Sequence, residues 1–418
     1  MQPAKAFLPT GGFDESLLLA PREAIARYLA AVALAQMPVE SVALDAAGGR
    51  ILAADIAADA DYPRADRSSM DGFAVRASAT PGRMRLAGEA RMGCAWTGSD
   101  LAAGQAAAIP TGGVLPAGSD AVVPIEDARV DGDAVVVPAV AAGDCVTPRG
   151  SDMREGAIAL HAGRILGAPE IGVLATLGIT AVPVRARPRI AVLSSGDELV
   201  APDARPEREQ IRDSNRYVIA ASLRAMGAEP VHGPTVADAP GALEAALTEM
   251  LATCDGAMLS GGSSVGQRDL TPAAIAGLGA PGVVIHGLRI KPGKPTVLGA
   301  LGGKPVIGLP GNPVSALIVL EAVVAPIVGR LAGATVAPSE TIARLAEPLR
   351  GRRGWTVFAP VALAIDEAEG PAAHPLALHS SLVSLPARAA GYVAIEGAET
   401  IPAGAAVTVR RFFTGGLR

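Results

Sequence analysis

The sequence has few aromatic residues and no excess of basic residues, and these shortages exclude a class of protein. Aromatics make up 3% of the 418 residues, and 36 Lys and Arg face 41 Asp and Glu. A mildly acidic chain of this kind lacks the basic face and the stacking platform of a nucleic-acid-binding protein. We therefore expect no nucleic-acid partner, and we expect cores built from Ala, Val, Leu and Ile.

Disulfide, zinc and membrane signals are also missing. The three cysteines, Cys94, Cys145 and Cys254, lie far apart, and the five histidines form no HxxxH or HExxH pattern. This excludes a disulfide framework and a zinc site. No uninterrupted apolar run reaches the ~18–20 residues of a membrane span. The longest, 314–329, is interrupted by one Glu and one Pro. The N-terminus is no signal peptide, so we expect a cytoplasmic protein that binds no membrane.

Length and periodicity predict a multidomain chain of the α/β plus β class. At roughly 150 residues per domain, the length predicts two to four domains. Half of the residues are apolar, which is enough for several cores. Short β-type runs separated by Gly, Pro and Asp turns give way after 186 to strands alternating with helices, which implies a doubly wound, mostly parallel sheet. The predicted parts are helical or linker segments at 14–45 and 155–186, a β-rich domain at 46–154, an α/β domain at 187–332 and a small C-terminal β domain at 335–418.

Within the α/β domain, apolar runs and turn residues predict the individual elements. Asn312 precedes Pro313, and we expect it to cap a helix that begins at this proline. The predicted strands are 190–193, 231–236, 257–259, 283–285, 295–298 and 306–309, and the predicted helices include 214–227 and 240–252.

A Gly-rich loop follows the third predicted strand of this domain. It runs from Ser260 to Gly266 with the sequence SGGSSVG. Ligands of open α/β sheets bind at the carboxyl ends of the strands, where exposed backbone N–H groups and Ser hydroxyls hold oxyanions. The loop therefore predicts a phosphate or oxyanion site, and the alternative is a tight turn that only needs glycines. It is not a Walker A loop, because no GK[ST] sequence follows.

Acidic residues follow three of the predicted strands. Glu198 ends the sequence SSGDE after the first strand, Asp238 follows the second, and Asp269 follows the Gly-rich loop. Because parallel strands end at one edge of a sheet, these side chains should converge there and could hold Mg²⁺ with waters and phosphate oxygens. A solvated loop with a helix N-cap is the alternative.

Two lysines and a helix N-terminus form the next candidate. Lys291 and Lys294 lie in IKPGKP, and LPGNP presents a helix N-terminus. Both features favour anions, and the alternative for the lysines is an ordinary surface turn. Asp71 and Thr111 lie in segments that physical reasoning alone assigns to turns. No Ser-His-Asp or Cys-His arrangement supports covalent catalysis.

Seven motifs taken together resemble one known family. They occur in the order SSMDGFA, PTGGVLPAGSDAVVPIED, SSGDEL, RDSN, LSGGSSVGQRD, IKPGKP and LPGNPVSA. The chain resembles the molybdopterin molybdenumtransferases, the MoeA family, which includes the E domain of gephyrin. The resemblance implies insertion of molybdate into adenylylated molybdopterin with Mg²⁺-dependent release of AMP. It also implies a homodimer, a MogA-like α/β domain and a MogA-like adenylyltransferase as a partner.

The resemblance also implies a role for each candidate residue. Asp71, with Thr111, would come from the partner subunit. Glu198, Asp238 and Asp269 would be the acidic set, and Glu198 and Asp269 would bind the metal. Lys291 and Lys294 would contact anionic groups. The substrate-binding set is Thr111, Ser260, Gly261, Gly262, Ser263, Ser264, Gly266, Lys294, Pro310 and Pro313.

Four positions depart from the family pattern: Thr147, Gly287, Arg212 and Ala390. Cations are commonly found at the first two, and Arg149 or Arg289 could compensate for them. Two alternatives stay open at this point. One is a non-catalytic cofactor-binding or assembly protein on the same fold. The other is an adenylyltransferase, which the flanking β regions disfavour.

Overall fold

The computed structural model describes residues 7–8, 12–261, 270–334, 338–366, 370–377 and 379–412. Contacts divide the chain into two compact units. One unit contains the described residues up to Ala53, residues 163–167 and the described residues from Ala181 onward. The other contains residues 54–162 and 168–180. The domain boundaries expected from the sequence stay predictions.

The N-terminal helix is anchored to the larger unit by a buried tyrosine. It begins at Pro21, whose fixed φ suits a first helical position. Tyr28 is fully buried, and its hydroxyl donates to the carbonyl of Gly299 at 2.9 Å. The first elements are β1 (Phe7–Leu8), β2 (Gly12–Phe13), α1 (Pro21–Ala31) and β3 (Val39–Ala43).

The smaller unit is built around a six-stranded sheet, as its short β-type runs predict. Its elements are β4 (Ile56–Ala57), β5 (Arg67–Ser68), β6 (Gly72–Val75), β7 (Gly82–Glu89), β8 (Gln105–Ile109), β9 (Ala121–Pro124), β10 (Arg129–Asp131), β11 (Ala134–Val137), β12 (Val146–Thr147), β13 (Ile158–Leu160) and α2 (Ala168–Thr176). The sheet order is β10-β11-β7-β8-β6-β9, and only β7 and β8 pair in parallel. Phe73 and Val75 pack on one face of β6 and Ala74 on the other, so both faces of this strand are buried.

The larger unit contains the expected doubly wound α/β sheet. Its order is β18-β15-β19-β23-β22-β20, and the first four strands are parallel. The elements are β14 (Ala181–Arg185), β15 (Arg189–Ser195), β16 (Leu199–Val200), β17 (Ile211–Arg212), α3 (Asn215–Ala225), β18 (Glu229–Val236), α4 (Ala242–Leu251), β19 (Gly256–Ser260), α5 (Leu270–Gly277), β20 (Pro281–His286), β21 (Ile290–Lys291), β22 (Val297–Leu301), β23 (Lys304–Leu309), α6 (Pro313–Val319) and α7 (Ala325–Ala332).

Alternating side chains place one core on each face of this sheet. Ile190 and Val192 of β15 pack with α1, α3, α6 and α7, whereas Ala191 and Leu193 pack with α4 and α5. Such burial on both faces is typical of parallel strands covered by crossover helices. Strand β22, which lies between β23 and the edge strand β20, is antiparallel to both its neighbours, so the sheet is mostly parallel as expected. One predicted strand boundary needs correction. Strand β22 begins at Val297 rather than residue 295, because the Thr296 N–H still closes a turn on the Gly293 carbonyl.

The most apolar helical segment of the described chain is a core element. Residues 313–332 are long and apolar enough to cross a membrane, but 78% of the window is buried inside the protein. Between α6 and α7 the segment widens into a π-helical turn, Leu320–Val324. This turn comes just before Pro326, whose ring would clash with the carbonyl four residues earlier in a regular α-helix. The proline that interrupts the apolar run therefore widens the helix without ending it.

The C-terminal strands close into a small barrel. Its elements are β24 (Glu340–Leu345), β25 (Leu349–Arg350), β26 (Thr356–Asp366), β27 (Gly370–Pro375), α8 (Leu385–Arg388), β28 (Gly391–Glu396), β29 (Thr400–Ile401) and β30 (Ala406–Arg411). The ring order is β26-β27-β24-β30-β28, closed by the pairing of β28 with β26. Strand β21 of the α/β domain adds to this barrel, with Ile290 paired to Thr356 and Lys291 to Val357.

Candidate functional site

The strand order creates a crevice at the carboxyl ends of β15 and β19. Strand β15 leads through α3 to β18 on one side, and β18 leads through α4 to β19 on the other side of β15. The helices α3 and α4 cover opposite faces of the sheet. The chain therefore reverses direction between β15 and β19, and ligands of open α/β sheets bind at such a switch point.

The Gly-rich loop begins at this crevice. Gly261 follows β19 with φ +96°, and a Cβ there would overlap the carbonyl oxygen of Ser195 on β15. The Thr271 hydroxyl donates to the Gly261 carbonyl at 3.3 Å, which fixes the loop start from the other side. Only glycine fits this close approach of two strand ends.

Most of this loop lies outside the described residues. Ser260 and Gly261 are described, and Ser260 is nearly fully buried. Five predicted site residues lie outside the described residues: Gly262, Ser263, Ser264, Gly266 and Asp269. The oxyanion-binding role of the loop therefore stays a prediction.

Carboxylates gather at the ends of β15 and β18, and we call Asp197, Glu198 and Asp238 the acidic edge. The Asp238 carboxylate accepts a hydrogen bond from the Ser195 hydroxyl at 2.9 Å, and its backbone N–H donates to Asp197 at 3.1 Å. Both oxygens of Glu198 fold over Gly196, where a Cβ would lie 2.6 and 2.7 Å from them. The structure thus brings Glu198 and Asp238 to one end of the sheet.

The carboxylates of the acidic edge are of the ligand type that Mg²⁺ prefers. Mg²⁺ prefers carboxylate oxygens and is commonly held by one or two of them together with waters and substrate phosphates. Among the described residues, no three His, Cys, Asp or Glu side chains come close enough to form an all-protein metal site. Glu198 and Asp238 supply carboxylates of this kind at the strand ends, and their role in binding Mg²⁺ stays a prediction.

The RDSN motif supports the crevice through two buried interactions that sequence reasoning did not assign. Asp213 pairs with Arg216 at 3.0 Å, and the Arg216 guanidinium also donates to the Gly233 carbonyl at 2.9 Å. Asn215 donates through Nδ2 to the Ser260 hydroxyl and to the Gly311 carbonyl, both at 2.7 Å. Asn215 thereby joins the end of β19 to the LPGNP turn.

A cavity of about 340 Å³ surrounds the predicted lysines, and we call it the basic cavity. Lys291 and Lys294 line it with the intervening residues of the IKPGKP turn. Its other walls come from α6 and from the C-terminal barrel. The lining residues are Ile290, Lys291, Pro292, Gly293, Lys294, Pro295, Ser315, Arg352, Trp355 and Ser380. The cavity thus combines three cations with two hydroxyl groups.

The barrel contributes to this cavity because β21 pairs with β26. That pairing brings Trp355, just before β26, beside Lys291. The Arg352 guanidinium lies over the Trp355 ring, with its carbon 4.0 Å from the ring centroid. This stacking holds the plane of the guanidinium at the cavity wall.

The helix α6 approaches the same cavity, but its N-terminus is not capped as predicted. Asn312 occupies the N-cap position, yet its side chain makes no capping hydrogen bond. Its Nδ2 instead donates to the Ser380 hydroxyl at 3.2 Å, and the Ser380 carbonyl accepts from the Val314 N–H at 3.2 Å. The expected cap was wrong because a barrel residue competes for the asparagine. Pro310 and Pro313 bracket this turn.

Asp71 and Thr111 meet in the smaller unit. The Thr111 N–H donates to the Asp71 carboxylate at 2.6 Å. This hydrogen bond, helped by the Thr111 side chain, holds the pKa of Asp71 below its ordinary value. Asp71 lies in a bend and Thr111 in a turn, as physical reasoning predicted, and this hydrogen bond fixes the exposed carboxylate. Arg149, named above as a possible replacement cation, donates to Asp61 at 2.8 Å.

The site residues that the sequence did not reveal are Arg352, Trp355, Ser315 and Ser380. Ser315 lies within the LPGNPVSA motif but was not singled out there, and Arg352, Trp355 and Ser380 belong to none of the seven motifs. The only sequence signal was the arginine pair and tryptophan in GRRGW, which precede an apolar strand. Their place beside Lys291 depends on the pairing of β21 with β26, which no periodicity predicts.

Comparison with known protein sequences gives matches along most of the chain. A family described as MoeA N-terminal region (domain I and II) matches residues 19–178, and a probable molybdopterin binding domain matches 191–330. A molybdopterin molybdenumtransferase from a Nostoc species is 36% identical over 309 residues, covering 71% of this chain and 70% of its own. Molybdopterin molybdenumtransferase 2 of Mycobacterium tuberculosis is 33% identical over 320 residues, covering 72% and 76%.

Solved structures show the same architecture. A crystal structure of a molybdopterin biosynthesis MoeA protein from Pyrococcus horikoshii covers 94% of this chain and 99% of its own, with a TM-score of 0.75 and 31% identity. A second structure from that organism gives a TM-score of 0.81 at 25% identity, covering 94% and 100%. Both similarities extend over the β regions that flank the α/β domain.

Proposed function

The chain belongs to the MoeA family of molybdopterin molybdenumtransferases, and from this premise we propose that it inserts molybdate into adenylylated molybdopterin and releases AMP. It is an enzyme of molybdenum cofactor biosynthesis. The substrate carries a phosphoanhydride and a pterin dithiolene. A MogA-like adenylyltransferase would be the partner that supplies it. An adenylyltransferase reading of this chain itself is disfavoured, because the described β barrel and β sheet flank its α/β domain.

The observation that carries this proposal is the basic cavity. Molybdate is a dianion, and a cavity lined by Lys291, Lys294 and Arg352 with hydroxyls from Ser315 and Ser380 is suited to a tetrahedral oxyanion. The cavity is large enough for several such ions. We infer that molybdate is held here, with the LPGNP turn and its prolines forming the adjoining wall.

The acidic edge would serve the other end of the substrate. Glu198 and Asp238 would hold Mg²⁺ together with Asp269, which lies outside the described residues. Bound there, Mg²⁺ would neutralise charge on the phosphoanhydride as it opens. The Ser195 hydroxyl orients Asp238, and the folding of Glu198 over Gly196 points its carboxylate to the strand ends. Ser260 and the Gly-rich loop would bind the substrate phosphate from the crevice.

We further propose that the functional protein is a homodimer whose sites are shared between chains. Asp71 presents an exposed carboxylate that the Thr111 N–H fixes in position. In a C₂ dimer each chain supplies both halves of two identical sites. Asp71 of one chain would then complete the site that contains Lys291 of the other.

The direct test of the function is release of AMP. Purified protein would be mixed with adenylylated molybdopterin, and AMP would be quantified by chromatography before and after addition of molybdate and Mg²⁺. We expect AMP release only when both ions are present. A protein that binds the substrate but releases no AMP under these conditions would be a binding or assembly protein and not the proposed transferase.

The shared site is tested by complementation. Asp71→Ala chains and Lys291→Ala chains are mixed, with each variant inactive alone. Random pairing makes half of the dimers mixed, and each mixed dimer has one intact site, so about one quarter of the wild-type activity should return. Mixed dimers recovered through two different tags that remain inactive would mean that both residues belong to one chain's site.

A further inference from the structure

One cation that lines the basic cavity, Arg352, pairs with an acidic residue that its proposed function does not require. Glu15 lies on a short 3₁₀ turn, Glu15–Leu17, and its Oε2 is 2.8 Å from Nη2 of Arg352. Each side chain of this pair is about half exposed, at 49% and 50%. One cation of the cavity is thus already paired with a carboxylate of the same chain.

The segment that carries Glu15 is held in place by its own contacts. Asp14 caps the turn by accepting from the Ser16 N–H at 3.0 Å and from the Ser16 hydroxyl at 2.6 Å. Leu18 is buried, and the Leu19 carbonyl accepts from the Arg289 N–H at 2.8 Å. Because Arg289 immediately precedes β21, the turn is tied to the strand that contains Lys291. The position of Glu15 at the cavity is therefore set by the fold.

A carboxylate and a tetrahedral oxyanion use the same donors of a guanidinium. Both offer a pair of oxygens to the fork of N–H groups, and each gains a charge-assisted hydrogen bond there. The Arg352 guanidinium also lies over the Trp355 ring, so it has an aromatic contact besides the one with Glu15. What Glu15 adds is a negative charge that competes for the same N–H groups.

We propose that Glu15 is the resident counter-ion of the basic cavity, which an incoming oxyanion displaces from Arg352 when it binds. This inference rests on the proposed function, because it assumes that the cavity holds the oxyanion. Glu15 then sets the affinity for that ion: it keeps the cavity from holding anions tightly at rest. It is a specificity-determining residue of the cavity rather than a catalytic one.

The test measures binding of molybdate alone to the full chain by isothermal titration calorimetry at low ionic strength. The proteins are the wild type, Glu15→Gln, Arg352→Ala, the double variant and the control Glu340→Gln. The control removes a similar carboxylate, which lies 3.2 Å from Arg410 in the C-terminal barrel outside the basic cavity. Arg352→Gln removes the charge but keeps a long polar side chain, and it replaces Arg352→Ala in the single and double variants if Arg352→Ala does not fold.

We expect Glu15→Gln to bind molybdate about two- to fivefold more tightly, the range that loss of a half-exposed ion pair supports. The control should bind like the wild type. In the Arg352→Ala background Glu15→Gln should add nothing, because the competed cation is gone. The gain in molybdate affinity of Glu15→Gln should become smaller as the salt concentration is raised.

Three results would overturn the inference, and they separate it from the proposed function. Suppose that Arg352→Ala weakens molybdate binding but Glu15→Gln binds molybdate as the wild type does or more weakly. The basic cavity then still binds the oxyanion, and only the proposed role of Glu15 is wrong. An equal gain in the Arg352→Ala background would mean a general charge effect, which also removes that role. If Arg352→Ala and Lys291→Ala both bind molybdate normally, the oxyanion cavity itself is wrong and the inference fails with it.

Discussion

The acidic edge and the basic cavity are built in different ways, although both lie in the larger unit. The acidic edge comes from the ends of two neighbouring parallel strands, β15 and β18, and its contacts join residues close to those ends. The basic cavity combines a turn and a helix of the α/β domain with the start of a barrel strand. One region follows from a sheet, whereas the other needs two domains to pack.

The comparison implies that the two regions bind different ions. Carboxylates suit a cation and the phosphoanhydride that it would neutralise, and the lysines and arginine suit the incoming oxyanion. The contact between Glu15 and Arg352 brings a carboxylate to one cation of the basic cavity. Variants in the two regions should therefore affect different ions, and the predictions below test this from the largest expected effect to the smallest.

The largest effect is expected at the acidic edge. Glu198→Gln should slow Mg²⁺-dependent AMP release about 10²- to 10³-fold, because charge neutralisation by a metal ion is commonly worth several kcal/mol. The fold should be retained, since Glu198 is part of a surface loop after β15. The measurement is single-turnover AMP release across a range of Mg²⁺ concentrations. The matched control is Glu340→Gln, and normal turnover by Glu198→Gln would make the acidic edge structural.

A smaller effect is expected in the basic cavity. Lys291→Ala should lower molybdate-dependent AMP release about 10- to 100-fold, the value of one hydrogen bond to a charged group at about 1.5–3 kcal/mol. Molybdate binding should weaken in parallel, which titration calorimetry would detect. Arg410→Ala is the control, because this arginine pairs with Glu340 outside the cavity. If the control loses as much activity as Lys291→Ala, the effect belongs to charge or folding in general.

Loss of the hydrogen bonds that Asn215 makes should mainly lower the stability of the protein. Asn215→Ala removes two buried hydrogen bonds, to Ser260 and Gly311, and should lower the free energy of unfolding by about 1–3 kcal/mol. Urea unfolding of the wild type and the variant measures this change. The control Asn312→Ala loses only a more exposed bond to Ser380 and should cost less. Equal losses would mean that Asn215 does not support the crevice.

The smallest effect is expected in the other unit. Cys145 has φ +54°, the one positive value outside glycine among the described residues. Asparagine is favoured over most residues in this left-handed region. Cys145→Asn should therefore raise the free energy of unfolding, by less than about 1 kcal/mol. A thermal shift of the purified variant checks this. A lower melting temperature would mean that packing of the thiol against its neighbours outweighs backbone strain.

The two regions also differ in how much of them the sequence could predict. Strands alternating with helices predicted the doubly wound sheet, and the ends of its strands predicted where Glu198 and Asp238 would lie. Arg352 and Trp355 were not predictable, because they lie just before β26, which reaches Lys291 only through its pairing with β21. A second tertiary contact places Ser380 at the cavity and explains the wrong cap at Asn312, whose side chain donates to the Ser380 hydroxyl. Local patterns locate residues within one sheet, but they say nothing about contacts made when domains pack.

The most direct test of the account is a crossed titration of AMP release. Wild type, Glu198→Gln and Lys291→Ala are each titrated with Mg²⁺ at saturating molybdate and with molybdate at saturating Mg²⁺. The account predicts that Glu198→Gln raises only the half-saturating Mg²⁺ concentration, in addition to its slower turnover. Lys291→Ala should raise only the half-saturating molybdate concentration. Equal shifts for both ions in both variants would contradict the separation of the acidic edge from the basic cavity.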